Sequence, residues 1–248
     1  MMQGESLRNS ERQVLSSLMH FDKASDAMAA YYALSHDEKR TNLLVGRDEA
    51  GRVSAFVAVC RTGMDLFRPL VVVHEFQPGA AAGLLWEALT PGHPYHLIAP
   101  PSLASAVNAV LEVDERILCA LYEVHRSSFK PIVNVLVVGA RDSQGRPRFV
   151  IRSASGEIAA EAGLVWQSDE FAELYVTVQP SARGRGWGRS VVSACTAYLL
   201  EAGLRPLYVT DPDNGPSVRL CQALGYRDTG VRQYVCTGVC KLVPPQGD

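Results

Sequence analysis

An α/β protein made of two similar halves, each a mixed sheet flanked by helices, is the fold class this sequence predicts. Three observations predict it. Apolar runs of strand length alternate with helix-period patterns along the whole chain. A hairpin and the strand after it recur at an offset of 105 residues, Gly51 matching Gly156 and Val73 matching Val178. Only the second occurrence runs on into a turn rich in glycine and arginine, Gln179-Pro180-Ser181-Ala182-Arg183-Gly184-Arg185-Gly186-Trp187-Gly188-Arg189.

The elements follow in order. Glu11 to Ser35 is polar and helix-prone, and three strands come next: Leu43 to Gly46, Val53 to Cys60 and Leu66 to Val73. Asp48-Glu49-Ala50-Gly51 is the turn signal between the first two. A helix (Ala80 to Leu89), a strand (Tyr95 to Ala99), a second helix (Ser102 to Leu111) and a strand (Arg116 to Val124) complete the first copy. The second copy opens with strands Arg148 to Ser153, Ile158 to Trp166 and Ala172 to Val178, the first pair joined by Ala154-Ser155-Gly156. It continues through a helix (Gly188 to Ala202), a strand (Pro206 to Thr210), a helix (Pro216 to Leu224) and terminal strands Tyr226 to Asp228 and Gln233 to Leu242. The order β-β-β-α-β-α-β in each copy places the boundary near Ser127 to Pro131, giving domains 1–130 and 131–248.

Composition bounds the function. With 248 residues, 47% hydrophobic and 20% charged, the chain buries one large core or two modest ones. A net charge of -2 argues against a protein built to grip a nucleic-acid backbone. The charged opening does not read as a secretory signal, and the longest uncharged helical stretch, Ser190 to Leu200, is far short of the about 20 residues that cross a bilayer. Six cysteines at irregular spacing suit reduced thiols, so the expected compartment is the cytoplasm. Cys236 and Cys240 share a strand face without further ligands nearby, and His93 and His96 sit at a turn and a strand start, so no metal site is expected.

The glycine turn carries the chemistry. Pro180 ends its strand because it donates no ladder hydrogen bond, and Gly184, Gly186 and Gly188 permit backbone angles that a side chain forbids. The helix that follows carries Val191, Cys195, Tyr198, Leu199 and Ala202 on one stripe and stops at Gly203. Its N-terminus points free N–H groups and the positive dipole end at the space over the glycines, which favours an anion such as a pyrophosphate. Arg183, Arg185 and Arg189 add charge there. The corresponding stretch of the first copy, His74 to Gly83, has no arginine and is shorter, so that copy is expected to lack the ligand.

The run Arg183-x-x-Gly186-x-Gly188 after Glu173-Leu174-Tyr175-Val176-Thr177-Val178 is neither a dinucleotide fingerprint nor a Walker loop. It resembles the acetyl-CoA loop of the GNAT superfamily of N-acetyltransferases. Asn214, Ser217, Leu220 and Leu224-Gly225-Tyr226 resemble that family's later motif, Asn-x-x-(Ala/Ser)-x-x-Leu-Tyr-x-x-x-Gly-Phe. The likeness is specific over Arg148 to Tyr226 and topological before residue 130, as in tandem GNAT chains with a degenerate first copy.

The resemblance implies the acyl-CoA N-acyltransferase fold in two copies, the second catalytic and the first walling the acceptor cleft. It implies that the backbone of Val176 and Val178 holds the pantetheine arm of acetyl-CoA. The loop Arg183, Gly184, Arg185, Gly186, Trp187, Gly188 and Arg189 would hold the pyrophosphate, and Asn214 and Ser217 would stand on the pantetheine side. Asn214 is equally a plain helix cap. The reaction implied is direct attack of an amine, of a small molecule or a peptide, on the thioester. Val176 N–H would serve as oxyanion donor and Glu173 as general base. The family's tyrosine after the helix leucine is replaced by Cys221 here, which makes Cys221 the candidate acid, with Tyr208, Tyr226 or water as substitutes. The missing tyrosine also leaves open a non-catalytic acyl-CoA-binding sensor or interaction protein, and the glycine loop leaves open an NAD or ATP binder of another fold. A monomer and a homodimer are both compatible with the sequence.

Overall fold

The structure, a computed structural model, describes residues 11–244. It forms two compact units, one comprising residues up to Cys119 together with those from Arg232 onward, the other Ala120–Val231. In the first unit, helices α1 (residues 11–18) and α2 (Ala24–Ala30) lead to strands β1 (Thr41–Arg47), β2 (Val53–Cys60) and β3 (Leu70–Glu75). Helix α3 (Ala81–Ala88), β4 (Pro94–Ala99), α4 (Ala104–Val110) and the start of β5 (Leu111–Glu123) follow. The second unit holds β6 (Val138–Arg141), β7 (Pro147–Arg152), β8 (Ile158–Gln167), β9 (Phe171–Val178), α5 (Trp187–Glu201), β10 (Arg205–Thr210) and α6 (Gly215–Ala223).

The 105-residue echo survives in atomic detail. Arg47 and Arg152 each donate from Nη1 to the carbonyl of the turn glycine, Gly51 at 3.2 Å and Gly156 at 2.7 Å. Both hairpins break register at the same place, between Gly46 and Arg47 and between Ile151 and Arg152. Both turn glycines have positive φ, 77° and 85°. Each copy then sends its third strand into a parallel partner across a helix, β3 to β4 through α3 and β9 to β10 through α5. Val57, Val71, Leu85, Leu97 and Val107 fill the first core, and Ile151, Leu164, Leu174, Val191 and Leu199 the second.

The single cut expected near residue 130 is not where the units divide. The last strand of each copy pairs with the other copy's interior strand. β11 (Arg227–Cys240) lies antiparallel to β4, Tyr234 opposite Ala99, so it completes the first unit. The end of β5 lies antiparallel to β10, with Tyr208 opposite Tyr122 and Thr210 opposite Ala120, so it belongs to the second. Arg205 ties this pairing down, its Nε donating to Glu123 at 2.6 Å. Periodicity cannot reveal such an exchange, since a strand's sequence does not say which neighbour it will find.

Smaller differences have local causes. β3 begins at Leu70 rather than Leu66, because the Asp65 carboxylate accepts the N–H groups of Phe67 and Arg68 and withdraws them from the ladder. β6 precedes the expected first strand of the second copy, folded back by Asp142, which accepts the N–H groups of Gln144 and Arg146. The two terminal strands are one, β11, running through Gly230 at φ 80°.

Candidate functional site

The site begins where two strands part. The parallel pairing of β9 with β10 runs from Phe171 opposite Arg205 to Leu174 opposite Tyr208, yet β9 continues to Val178. On its other side β9 stays paired with β8 as far as Val178, and the Gln179 N–H bonds the Ala159 carbonyl at 2.9 Å. Backbone bonds alternate along an antiparallel pair, so Tyr175 and Thr177 turn their N–H and C=O groups to β8. Val176 and Val178 turn theirs to the gap that β10 has left.

At the end of that gap the chain makes its glycine turn. Gly184 and Gly186 have φ of 78° and 74°, with open space where a side chain would stand, so they are glycines for their backbone angle. Gly188 is a glycine for closeness, since a Cβ there would lie 2.9 Å from Val178 Cγ2 and 3.2 Å from Leu220 Cδ1. Gly186 is the N-cap of α5 and offers no side-chain cap, so the first N–H groups of this fifteen-residue helix face outward unbonded. The helix is held behind by Val191, Val192, Cys195 and Leu199, all buried; Tyr198, expected on that stripe, is 40% exposed and packs against Phe149 instead.

A groove of about 690 Å³ follows this line. It is bordered by Val176, Val178, Arg183, Gly184, Gly186 and Trp187, and further by Gly188, Arg189, Asn214 and Ser217, all expected from the sequence. Ala182, Tyr208, Pro216 and Leu220 also border it. Of these, Leu220 was legible as the groove-side neighbour three residues beyond Ser217 on a helix, with Pro216 four residues before Leu220. Arg185 turns aside, its guanidinium 5.1 Å over the Trp187 ring. No carboxylate borders the groove, and among the described residues no ion pair takes up Arg183, Arg185 or Arg189. The arrangement suits a phosphorylated ligand with an extended polar arm.

Asn214 both borders the groove and caps α6, its Oδ1 accepting the Ser217 N–H at 3.2 Å. Ser217 shares a hydrogen bond of 2.8 Å with the Tyr208 hydroxyl. Tyr208 is 3% exposed, and burial raises its pKa despite that bond, so it stays protonated at neutral pH.

Cys221, expected as the acid, lies elsewhere. It is fully buried in the second core with Leu224 and Val191, its thiol directed at the Val218 carbonyl at 3.2 Å, and it does not border the groove. Burial pushes it up to about 11. The reason is helical geometry: one residue beyond Leu220 is 100° further round, which turns Cys221 from the groove to the core. Tyr226 is excluded as well, buried with its hydroxyl on Thr196 at 2.8 Å.

Glu173 stands on the other face of β9 from the Val176 and Val178 side chains, together with Tyr175 and Thr177. The Trp166 indole N–H donates to it at 2.7 Å. Loss of hydration pushes its carboxyl up to about 7 against that pull.

The first unit repeats the strand pair without the site. There the Glu75 carboxylate accepts the Ala80 N–H at 3.0 Å at the start of α3, which sets a negative charge where the second copy keeps arginines. Among the described residues no group of three or more His, Cys, Asp or Glu could hold a metal, and no helix is long and apolar enough to cross a membrane.

Known proteins agree with this geometry. Residues 118–226 match the model described as Acetyltransferase (GNAT) family. Among solved structures, a Drosophila protein superposes with a TM-score of 0.62 at 16% identity, over 96% of this chain and 88% of its own. A tandem GNAT protein from the clavulanic acid biosynthesis pathway gives 0.58 at 14%, over 97% of each chain. A GCN5-related N-acetyltransferase from Kribbella flavida gives 0.56 at 18%, over 84% of this chain and 91% of its own. At such identities the likeness is one of fold, and no curated protein matches in sequence. The segment that matches in sequence is also the one that carries the glycine turn and the parted strands, so residues 118–226 are similar to the GNAT acetyltransferases in sequence and the chain is similar to them in fold.

Proposed function

We propose that the second unit transfers an acetyl group from acetyl-CoA to a primary amine, of a small molecule or a peptide, by direct attack of the nitrogen on the thioester. The observation that carries this reading is the parting of β9 from β10 beside the uncapped start of α5. The amides of Gly184 to Arg189 with Arg183 and Arg189 would hold the pyrophosphate. The exposed backbone of Val176 and Val178 would bond the pantetheine amides as a missing strand would. A ligand anchored on the α5 side and threaded through the gap brings its acyl end out on the opposite face, where Glu173, Tyr175 and Thr177 stand.

The chemistry needs three proton and charge roles. Glu173, poised at about 7, takes a proton from the amine through water. The Val176 N–H stabilises the charge on the thioester oxygen. The new C–N bond forms as the C–S bond breaks, and the departing thiolate needs a proton. Tyr208 supplies it in place of Cys221, since Tyr208 borders the groove and its hydroxyl is relayed by Ser217. Six cysteines without a disulfide suit a reducing compartment, the cytoplasm.

A thermal-shift series with acetyl-CoA, CoA, NAD and ATP on the wild type and on Gly186→Glu tests the ligand assignment. At ~100-fold excess over Kd a ligand adds about 2.7 kcal/mol of stability. Acetyl-CoA is expected to stabilise the wild type and leave the variant unmoved; equal shifts with acetyl-CoA in both refute the loop assignment. The displacement of Cys221 from the groove favours one second reading, an acyl-CoA-binding sensor. Binding of acetyl-CoA without thiol release across a broad amine panel would establish it.

A further inference from the structure

The first unit carries a cationic groove. The hairpin joining β2 to β3 runs from Arg61 to Pro69, whereas the matching hairpin between β8 and β9 needs only Ser168 to Glu170. The longer loop is therefore an addition particular to the first copy. Two adjoining cavities of about 530 and 390 Å³ open beside it, and both are bordered by Lys39, Arg40, Arg61, Pro69 and His93. Each is large enough for a small ligand.

Cationic side chains outnumber carboxylates around the two cavities. Two carboxylates border the cavities, and each is engaged elsewhere: Glu38 with Arg12 at 3.2 Å, Asp65 with His96 at 3.3 Å. Among the described residues Lys39, Arg40 and Arg61 form no ion pair. Three cations held around one concavity repel each other, an arrangement that a polyanion relieves. Arginine adds a planar fork that fits phosphate oxygens in pairs.

Part of the larger cavity's border is apolar and exposed. Leu66 is 86% exposed and Phe67 79%. The loop that presents them is braced, since Asp65 accepts the Phe67 N–H at 2.8 Å and the Arg68 N–H at 3.1 Å while facing His96. Phe67 borders the larger cavity together with the cations. A flat heterocycle stacks on such a ring.

We infer that this groove binds a nucleoside di- or triphosphate, with the phosphates on Lys39, Arg40 and Arg61 and the base on Phe67. The site is independent of the acyl-CoA groove, whose glycine turn lies in the second unit. The first copy, which has set Glu75 at the start of its own α3, would bind its anion at this separate place.

The test is calorimetric titration of the full chain with ATP, ADP, pyrophosphate and adenosine, without added metal and with acetyl-CoA at saturation. Saturable ATP binding is expected to persist under acetyl-CoA. Arg40→Ala and Arg61→Ala, both at exposed side chains, should weaken ATP and pyrophosphate at least tenfold with an unchanged melting temperature. Phe67→Ala should weaken ATP about tenfold or more, as loss of one stacked base does, and leave pyrophosphate unchanged. Competition of ATP with acetyl-CoA would move the binding to the glycine turn and overturn the inference. So would binding indifferent to Arg61→Ala, or no saturable ATP binding at millimolar concentration.

Discussion

A chain cut at the expected boundary should fail to fold its own site. The fragment 131–248 contains the glycine turn, β9, β10 and both helices, but it lacks the end of β5. In the whole chain Ala120 to Glu123 pair with Leu207 to Thr210, and Tyr122 and Val124 are buried in the second core, 4% and 0% exposed. Burying one such side chain is worth about 1.5–3 kcal/mol, so the two together contribute about 3–6 kcal/mol. A domain of this size has about 5–15 kcal/mol in all. The cut also leaves Arg205 without Glu123 and exposes the backbone edge of β10, whose Tyr208 forms part of the groove. The assay compares 131–248 with 118–231 by circular-dichroism melting and by acetyl-CoA thermal shift. The longer fragment should melt cooperatively and be stabilised by acetyl-CoA, and the shorter should do neither. A cooperative melt of 131–248 with the same acetyl-CoA shift would refute the reasoning that β5 is integral to the second unit.

Gly188→Ala should destabilise the protein by about 1–3 kcal/mol, because the added methyl meets Val178 and Leu220 in a packed wall, and should weaken acetyl-CoA binding measured by titration. Glu173→Gln should cut turnover by about 10²–10⁴ and abolish its rise with pH through about 7, read from thiol release between pH 5.5 and 9; an unaltered profile removes Glu173 as base. Folding raises that carboxyl from 4.5 to about 7, so wild-type stability is full at low pH, falls as pH climbs through this window and is level above it, and chemical denaturation of Glu173→Gln should lack this slope. Tyr208→Phe should lower kcat by about tenfold or more with KM for acetyl-CoA unchanged, while Cys221→Ala leaves kcat within about twofold; the reverse pattern restores the thiol as acid.

Much of the local structure was legible along the chain. The positive φ of Gly184 and Gly186, the helix from Trp187 and the hairpin echo from Gly51 to Gly156 each depend on neighbours within a few residues, where spacing and residue type speak directly. Ten of the residues expected at the cofactor appear around one groove for the same reason, since a loop and two helix starts in order bring them together. The expected start of β3 failed at Asp65, whose side chain competes for backbone N–H groups in a way that an apolar pattern does not display. The direction of Cys221 failed differently. Both sides of α6 were apolar enough to be the buried one, and only packing chose between them.

By itself, then, the sequence determined a repeated hairpin, a glycine turn opening a helix, and the cations beside it, because these are properties of adjacent residues. The tertiary structure decided the rest: that β9 and β10 part after Leu174 and Tyr208, that Tyr208 rather than Cys221 meets the groove, and that β5 and β11 each complete the sheet of the other copy. Pairing between strands joins residues about a hundred positions apart, and its register is selected by the burial of whole faces against each other, which no local window of sequence contains.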